Sequence, residues 1–412
     1  MKILHTSDWH LGKKLERFSR LEEQQQVLDE IISIANSENV DVVLIAGDLF
    51  DTGNPPVEAV ELYYKTLIQL SKKGVRPVIA IAGNHDSPER IEAPDPLARE
   101  CGILFVGHPE TVPPVFTLKD TGLAMVNSQS GFAEFSLPGY DYPLRILITP
   151  YANEIRLKKC FSPENSEEEL RQVLQEKWSS SGEEFCNDKG VNILITHLFI
   201  VENQDSPVDM ETEDEKPILH VGGVQQVYSY NLPAQLQYAA LGHLHRAQVV
   251  SENPCPIIYS GSPLAYSMSE ENQQKYVFIV DVEPGCKALV KKVSLSKGFR
   301  LIRKEFEKFD DALFWLKENQ DCYIELILHC DSFIKAEERQ QLQEAHPRLT
   351  NIIPVIKRDG QQQSGENKPP DINSKMEDLF SGFFEQKNGQ PPSNEILDIF
   401  REITAMQSEE SE

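Results

Sequence analysis

The chain has no apolar run approaching the roughly 20 residues that a helix needs to cross a bilayer, which excludes a helical membrane protein. Its start offers one lysine and a four-residue apolar burst, which is not a secretory signal. It has no C-x-x-C pair. The seven cysteines (101, 160, 186, 255, 286, 322 and 330) are odd in number and widely spaced. That excludes a disulfide framework and a zinc knuckle, and predicts reduced thiols in a cytoplasmic protein. Positive charge is also scarce, with 40 Lys and Arg against 65 Asp and Glu, a net charge of −25. Such a surface does not hold nucleic acid by its own backbone-wide attraction. The acid is uneven: residues 202–216 carry seven acids and one lysine, and 162–185 and the last four residues are acidic too. Bound metal would add local positive charge that this count omits, and an acidic chain acting on nucleic acid would need help from a partner.

What is present is enough for two or more domains, with 412 residues, 40% hydrophobic and 25% charged. The first 110 residues alternate strands with helices. Helical periodicity runs over 20–36 (Leu21, Val27, Leu28, Ile31, Ile32, Ala35) and 57–72 (Val60, Tyr63, Tyr64, Leu67, Leu70). Strand–helix–strand units of this kind predict an α/β core of parallel strands. From about 115 to 150 the pattern is β, followed by a polar helix near 166–178 and a strand before His197. Residues 202–231 have no clear period and read as an acidic insertion or long loop. Residues 1–274 form the expected core domain. An α+β capping domain is expected over 275–356, with strands 276–282, 288–295, 299–306, 322–328 and 351–356 and helices 310–317 and 334–345.

Residues 357–373 read as a polar linker, and 374–412 as a helical tail. Met376, Leu379, Phe380, Phe383 and Phe384 fall at i, i+3, i+4, i+7 and i+8, with Ser374 and Glu377 placed as a capping box. A second segment carries Ile396, Leu397, Ile399, Phe400 and Ile403. Two short helices cannot bury four phenylalanines between themselves. They dock on the body or on a partner, and the long tether favours a partner.

Seven residues able to bind metal lie in five short clusters, all but one of them after a hydrophobic strand: Asp8 and His10, Asp48, Asn84, His197, and His243 and His245. Strand ends of an α/β sheet converge on one crevice. In extended backbone at such an end, Asp8 and His10 point the same way and can share one metal. Two carboxylates, an amide oxygen and four imidazoles delivered there would hold two cations, which points to a hydrolytic metalloenzyme. Asp51 and Asp86 follow in the same clusters, and either can equally be a turn or helix-capping residue. His5, His108, His220, His329 and His346 have no neighbouring cluster and read as non-functional.

The order D-x-H, G-D-x-x-D, G-N-H-D, T-H and G-H-x-H resembles the calcineurin-like metallophosphoesterases. The runs Leu4–Gly12, Ala46–Gly53, Ala82–Ser87, Ala240–His245 and Tyr259–Pro263 resemble, within them, the Mre/SbcD break-repair nuclease family. The resemblance implies a two-layered sheet core with the capping domain contacting DNA. It gives Asp8, His10, Asp48 and His245 to one metal and Asp48, Asn84, His197 and His243 to the other. His85 would then be the non-ligand histidine facing the scissile phosphate, with Asp51 hydrogen-bonded to it. The mixed oxygen and nitrogen ligand set without thiolate suits two Mn²⁺ per chain, which the resemblance also implies, while ligands alone leave iron and zinc open.

For function, the resemblance implies an ATP-dependent double-strand exonuclease and single-strand endonuclease cutting DNA ends and hairpins in recombination and repair. It would work with the coiled-coil ATPase SbcC, as a homodimer within a heterotetramer, near the nucleoid. Two other readings stay open: a phosphodiesterase or phosphatase for a small or cyclic nucleotide or a phosphoprotein, and a non-catalytic adaptor.

Overall fold

Apolar runs joined by amphipathic helices fold into two β-sheets packed face to face. The computed structural model describes residues 1–162, 165–205, 226–330, 334–356, 376–388, 392–393, 396–397 and 400–401. The strands used below are β1 (Lys2–Thr6), β2 (Val42–Ala46), β3 (Val78–Ile81), β4 (Ile103–Val106), β5 (Phe116–Thr117), β6 (Ala124–Gln129), β7 (Phe132–Ser136) and β8 (Leu144–Thr149). They continue with β9 (Val191–Thr196), β10 (Tyr238–Leu241), β11 (Gln248–Ser251), β12 (Ile257–Tyr259), β13 (Tyr276–Asp281) and β14 (Leu289–Ser294). One sheet has the order β14-β13-β1-β2-β3-β4 and the other β11-β12-β10-β9-β8-β7-β6-β5. β1 to β4 are mutually parallel, as are β8, β9, β10 and β12.

Alternate residues of each parallel strand face opposite ways. Val42, Leu44, Ile79 and Ile81 meet Ile146, Ile148, Ile193 and Ile195 between the sheets. Val43 and Ile45 face outward onto α1 (Leu21–Ser37) and α2 (Val57–Ser71), which bury Val27, Leu28, Ile31, Tyr63 and Leu67 there. On the far side α3 (Ser166–Phe185) lays Leu170, Leu174 and Trp178 against Leu147, Leu194 and Leu241. Burial on both faces is why these strands are apolar at nearly every position, each large side chain contributing about 1.5–3 kcal/mol. None of the seven cysteines is in a disulfide. Among the described residues no helix is long and apolar enough to cross a membrane.

The first compact unit is Met1–Leu301 and the second Ile302–Glu412. The boundary expected at 274/275 therefore falls inside the first unit. The reason is pairing: β13 runs antiparallel to β1, with His5 opposite Phe278, and β14 pairs on β13. The second unit contains a three-stranded sheet in the order β15 (Arg300–Phe306), β16 (Cys322–Cys330) and β17 (Leu349–Ile356), the first strand crossing the boundary. Helices α4 (Phe309–Glu318) and α5 (Ala336–Ala345) pack Ala312, Leu316 and Leu342 against Ile324, Leu326 and Leu328.

In the tail, α6 (Met376–Asn388) brings Phe380 onto Phe400 with ring centroids 4.1 Å apart, and Arg401 pairs with Glu377. Leu379, Phe384, Ile396 and Leu397 are half-buried, while Phe383 is 61% exposed. The linker 357–373, Ser374, Ile403, His220 and the acidic stretch 206–216 lie outside the described residues, as does the side chain of Met376.

Candidate metal centre

The five clusters meet at one end of the sandwich, where the parallel strands of both sheets finish. The extended backbone expected for Asp8 and His10 at the end of β1 is not what forms. Asp8 and His10 have φ of 53° and 44°, in the left-handed region, as do Asp48 (48°) and His243 (110°). Such conformations cost on the order of 1–3 kcal/mol each and persist only where the surroundings enforce them. Here the loops after β1 and β2 zip together: the N–H groups of Asp8, His10 and Leu11 donate to the carbonyls of Gly47 (2.9 Å), Asp48 (3.0 Å) and Leu49 (3.0 Å). Trp9, between the two ligand candidates, is buried in the helix-side core and donates to Thr6 Oγ1 at 3.0 Å. Gly47 has φ of 89°, and a Cβ on it would lie 2.2 Å from His197 Nδ1, so only glycine fits.

Asp48 Oδ2 lies 3.5 Å from His10 Nε2 and 3.3 Å from His197 Nε2, so one carboxylate oxygen belongs to both halves of the site. On one side, His10 Nε2 and His245 Nε2 are 3.0 Å apart, with an Asp8 carboxylate oxygen within the same ligand-sized group. On the other, Asn84 Oδ1 lies 3.0 Å from both His197 Nε2 and His243 Nδ1. His197 Nδ1 faces the Ala46 carbonyl at 2.7 Å. Donation there fixes the proton on Nδ1 and turns the Nε2 lone pair inward. Asp8 is fixed from behind: His243 N–H donates to its Oδ1 at 3.0 Å and the Ser7 hydroxyl to Oδ2.

Candidate ligand atoms thus crowd together at two places, His10 Nε2 against His245 Nε2 and His197 Nε2 against Asn84 Oδ1, where a cation would be shared. The donor set is oxygen and imidazole, with no thiolate, and fits a hard or borderline divalent metal. The electrostatics agree. Burial alone would raise the Asp48 carboxyl, yet His197, its hydrogen bond, His10 and His85 hold it well below the usual carboxylate range. Burial disfavours imidazolium at His197, but Asp48, Asp8 and the Ala46 carbonyl together outweigh it and raise the group to about 9. Burial, with His197 adding to it, lowers His243 to about 3, and burial lifts Asp8 to about 6. A buried pair of carboxylates surrounded by imidazoles is a cage for positive charge.

His85 is half-buried, with its ring 4.9 Å from that of His10. Its Nδ1 faces the main-chain carbonyl of Asp51 at 2.9 Å, which leaves Nε2 for the open side. The expected contact between Asp51 and His85 therefore exists, but through the backbone. The Asp51 carboxylate instead takes Lys13 Nζ at 3.1 Å and lies 3.8 Å from His10 Nδ1. Asp86, one of the turn candidates, does more than shape a turn. Its buried carboxylate accepts the N–H groups of Leu49 (3.0 Å), Gly83 (2.8 Å) and Phe50 (3.0 Å), tying the Asp48 loop to the Asn84–His85 loop.

Two groups escape a reading of the sequence altogether. Arg156 donates to the carbonyls of Gly83 (2.8 Å) and Asp86 (2.9 Å) while lying over Tyr151, and so braces the same loop. Glu270, buried and paired with Lys275, places Oε1 3.6 Å from His245 Nδ1, and Lys275 donates to the His245 carbonyl at 3.0 Å. Nothing local marks either one, since both act across long sequence separations. The five other histidines include His5, which bonds Tyr238 Oη (2.8 Å) and the Leu241 carbonyl (3.1 Å), a structural role.

Comparison with known proteins agrees with this geometry. Residues 1–247 match the family described as Calcineurin-like phosphoesterase. The chain is 36% identical over 418 residues to the SbcD component of the SbcCD nuclease of Bacillus subtilis (strain 168), covering 100% of this chain and 99% of that one. It is 33% identical over 285 residues to the like-named protein from Staphylococcus epidermidis, and 28% over 285 residues to that from Escherichia coli (strain K12), in each case covering 69% of this chain and 66% of the other. This chain is a metal-dependent phosphoesterase, and it belongs to the calcineurin-like phosphoesterases and, within them, to the SbcD family of nucleases.

Proposed function

We propose that the chain is the nuclease subunit of an SbcCD-type complex, hydrolysing phosphodiester bonds of DNA ends and hairpins with two Mn²⁺ per chain. The observation that carries this reading is Asp48, whose Oδ2 lies within 3.5 Å of imidazoles from both halves of the site. In this assignment Asp8, His10, Asp48 and His245 hold one ion, and Asp48, Asn84, His197 and His243 the other. The ions would neutralise the non-bridging phosphate oxygens and make water acidic enough to act as a nucleophile near neutral pH.

The chain's own residues supply the rest. Asp48 is held by the zipped loops, and its Oδ1 accepts the His85 N–H at 3.0 Å, so bridge and acid are fixed together. His85, its Nδ1 committed to the Asp51 carbonyl, presents Nε2 to hydrogen-bond the phosphate and donate a proton to the leaving oxygen. Asp51 acts through Lys13 and its own carbonyl as a positioning residue. Tyr151 and Phe199, with centroids 6.4 and 6.3 Å from that of His243, form an apolar wall.

The negative charge of the chain fits a subunit that takes DNA affinity from its complex. The coiled-coil ATPase SbcC is the proposed partner of the tail. The apolar spacing of the tail supports this reading: Phe380 stacks on Phe400 with ring centroids 4.1 Å apart, and Phe383 of the same helix is exposed. The second unit, including its three-stranded sheet, is proposed as the DNA-contacting cap, and homodimerisation within a heterotetramer is part of the same reading. The test is cleavage of linear duplex and hairpin DNA with Mn²⁺, with and without the ATPase and ATP. Cutting of single strands by the chain alone, and progression along duplex only with ATPase and ATP, is expected. Robust turnover of a cyclic nucleotide with no cutting of any DNA would instead support the small-substrate reading.

A further inference from the structure

Beside the metal centre, within the first unit, lies a polar cleft of about 640 Å³. Arg246 enters it directly after His245. Lys292 enters from β14, and Tyr276 from the start of β13. Antiparallel pairing sets this placement. His5 of β1 is opposite Phe278, so Tyr276 lies towards the β1 end that carries Asp8 and His10, and Lys292 sits opposite Phe278 on the next strand. Lys292 is exposed, and its ammonium lies 3.7 Å from the centroid of the Tyr276 ring, which orients it over the cleft. Ala247, Ser269, Asn272, Gln273 and Gln274 complete the lining, and Glu271 is the one acid in it.

In a chain of net charge −25, two cations and one acid line this cleft beside His245, a local excess of positive charge that suits an anion. Burial and the positive field of Arg246 both push the Lys292 ammonium below its ordinary pKa, as expected of two charges that feel each other. The metal ions would hold only the scissile phosphate, and a strand leaving that phosphate towards the His10–His245 side needs partners for its next phosphates.

We propose that this cleft is a subsite for the DNA strand adjacent to the scissile bond, with Arg246 and Lys292 as its phosphate partners. The subsite rests on the nuclease reading given above. The test uses the full chain carrying His85→Ala, loaded with Mn²⁺ so that DNA binds without being cut, and a fluorescein-labelled single-stranded oligonucleotide. Affinity is measured by anisotropy across a range of KCl concentrations. Adding Arg246→Ala and Lys292→Ala together should weaken binding by roughly tenfold or more and flatten the slope of log K against log[salt] by about 1.4, or about 0.7 per lost contact. Arg246→Lys with Lys292→Arg should restore the slope, which separates lost charge from lost folding. Lys65→Ala, which removes an exposed helix lysine paired with Glu61, is the control and should change neither quantity. Unchanged affinity and slope in the double alanine variant, while the parent binds DNA normally, would overturn the subsite alone. A parent that loads Mn²⁺ but binds no DNA at any salt concentration, alone or with the coiled-coil ATPase, would overturn the nuclease reading and the subsite with it.

Discussion

Replacing Asp86 by Asn tests whether the ligand loops are held by a buried carboxylate or merely adjoin it. Asp86 Oδ2 accepts from Leu49 and Gly83 and Oδ1 from Phe50, all at 2.8–3.0 Å. The amide keeps one oxygen. In its best orientation that oxygen retains Leu49 and Gly83, and the amide NH₂ then faces the Phe50 N–H, donor against donor. An orphaned buried N–H costs about 1–3 kcal/mol, and the two retained bonds lose their charge assistance. One effect opposes this. Burial, and then the negative Asp48, raise the Asp86 carboxyl to about 6, so removing its charge relieves some repulsion. The three N–H contacts lower the carboxyl less than burial and Asp48 raise it, so losing the charge offsets part of the Phe50 penalty, and the net expectation is a loss of about 1 kcal/mol. Because Asp86 joins the Asp48 and Asn84 loops, Mn²⁺ affinity should fall as well, on the order of 10-fold or more as for other groups that orient metal ligands. Thermal unfolding in EDTA and calorimetric titration with Mn²⁺ measure the two effects separately. A variant matching wild type in both would refute the clamp.

Burial lowers His5 from 6.5 to about 3, so the unfolded chain takes up a proton that the folded chain refuses. Its contribution is intact above pH 6.5 and is lost as pH falls towards 3, by about 2 kcal/mol at pH 5. His5→Gln should reduce the loss of urea stability between pH 7.5 and 5 by that amount in metal-free protein; an unchanged pH dependence would refute it. Arg156→Ala removes bonds to the Gly83 and Asp86 carbonyls and should weaken Mn²⁺ binding and stability by about 1.5–3 kcal/mol per charged hydrogen bond, before partial solvent replacement; calorimetry against wild type decides it. Deleting 374–406 should abolish co-purification with the coiled-coil ATPase while Mn²⁺ binding and single-strand cleavage persist, and continued co-purification would remove the tail from the interface.

Much of the candidate site is legible in the sequence because its candidate ligands sit where apolar runs stop. A strand buried on both faces announces itself by composition, and the residues just past its end are the ones a crevice can collect. What sequence patterns do not carry is conformation set at a distance. The left-handed backbone of Asp8, His10 and Asp48 comes from hydrogen bonds between two loops about 40 residues apart in sequence. The edge of the first compact unit, past 274/275, is hidden in the sequence for a related reason. The β13–β14 hairpin has the same alternation whichever sheet it joins, and only its pairing with β1 decides the matter. Arg156 and the Glu270–Lys275 pair carry no local pattern, because each acts on a loop far away in the chain.

In the proposed centre one carboxylate, Asp48, holds two metal ions together beside a histidine that does chemistry but binds no metal. Metal content by elemental analysis after dialysis against Mn²⁺, on wild type, His85→Ala and Asp48→Ala, addresses this most directly. Two ions are expected in wild type, two in an inactive His85→Ala, and loss of both from Asp48→Ala. Two ions retained by Asp48→Ala, or metal lost from His85→Ala, would contradict it.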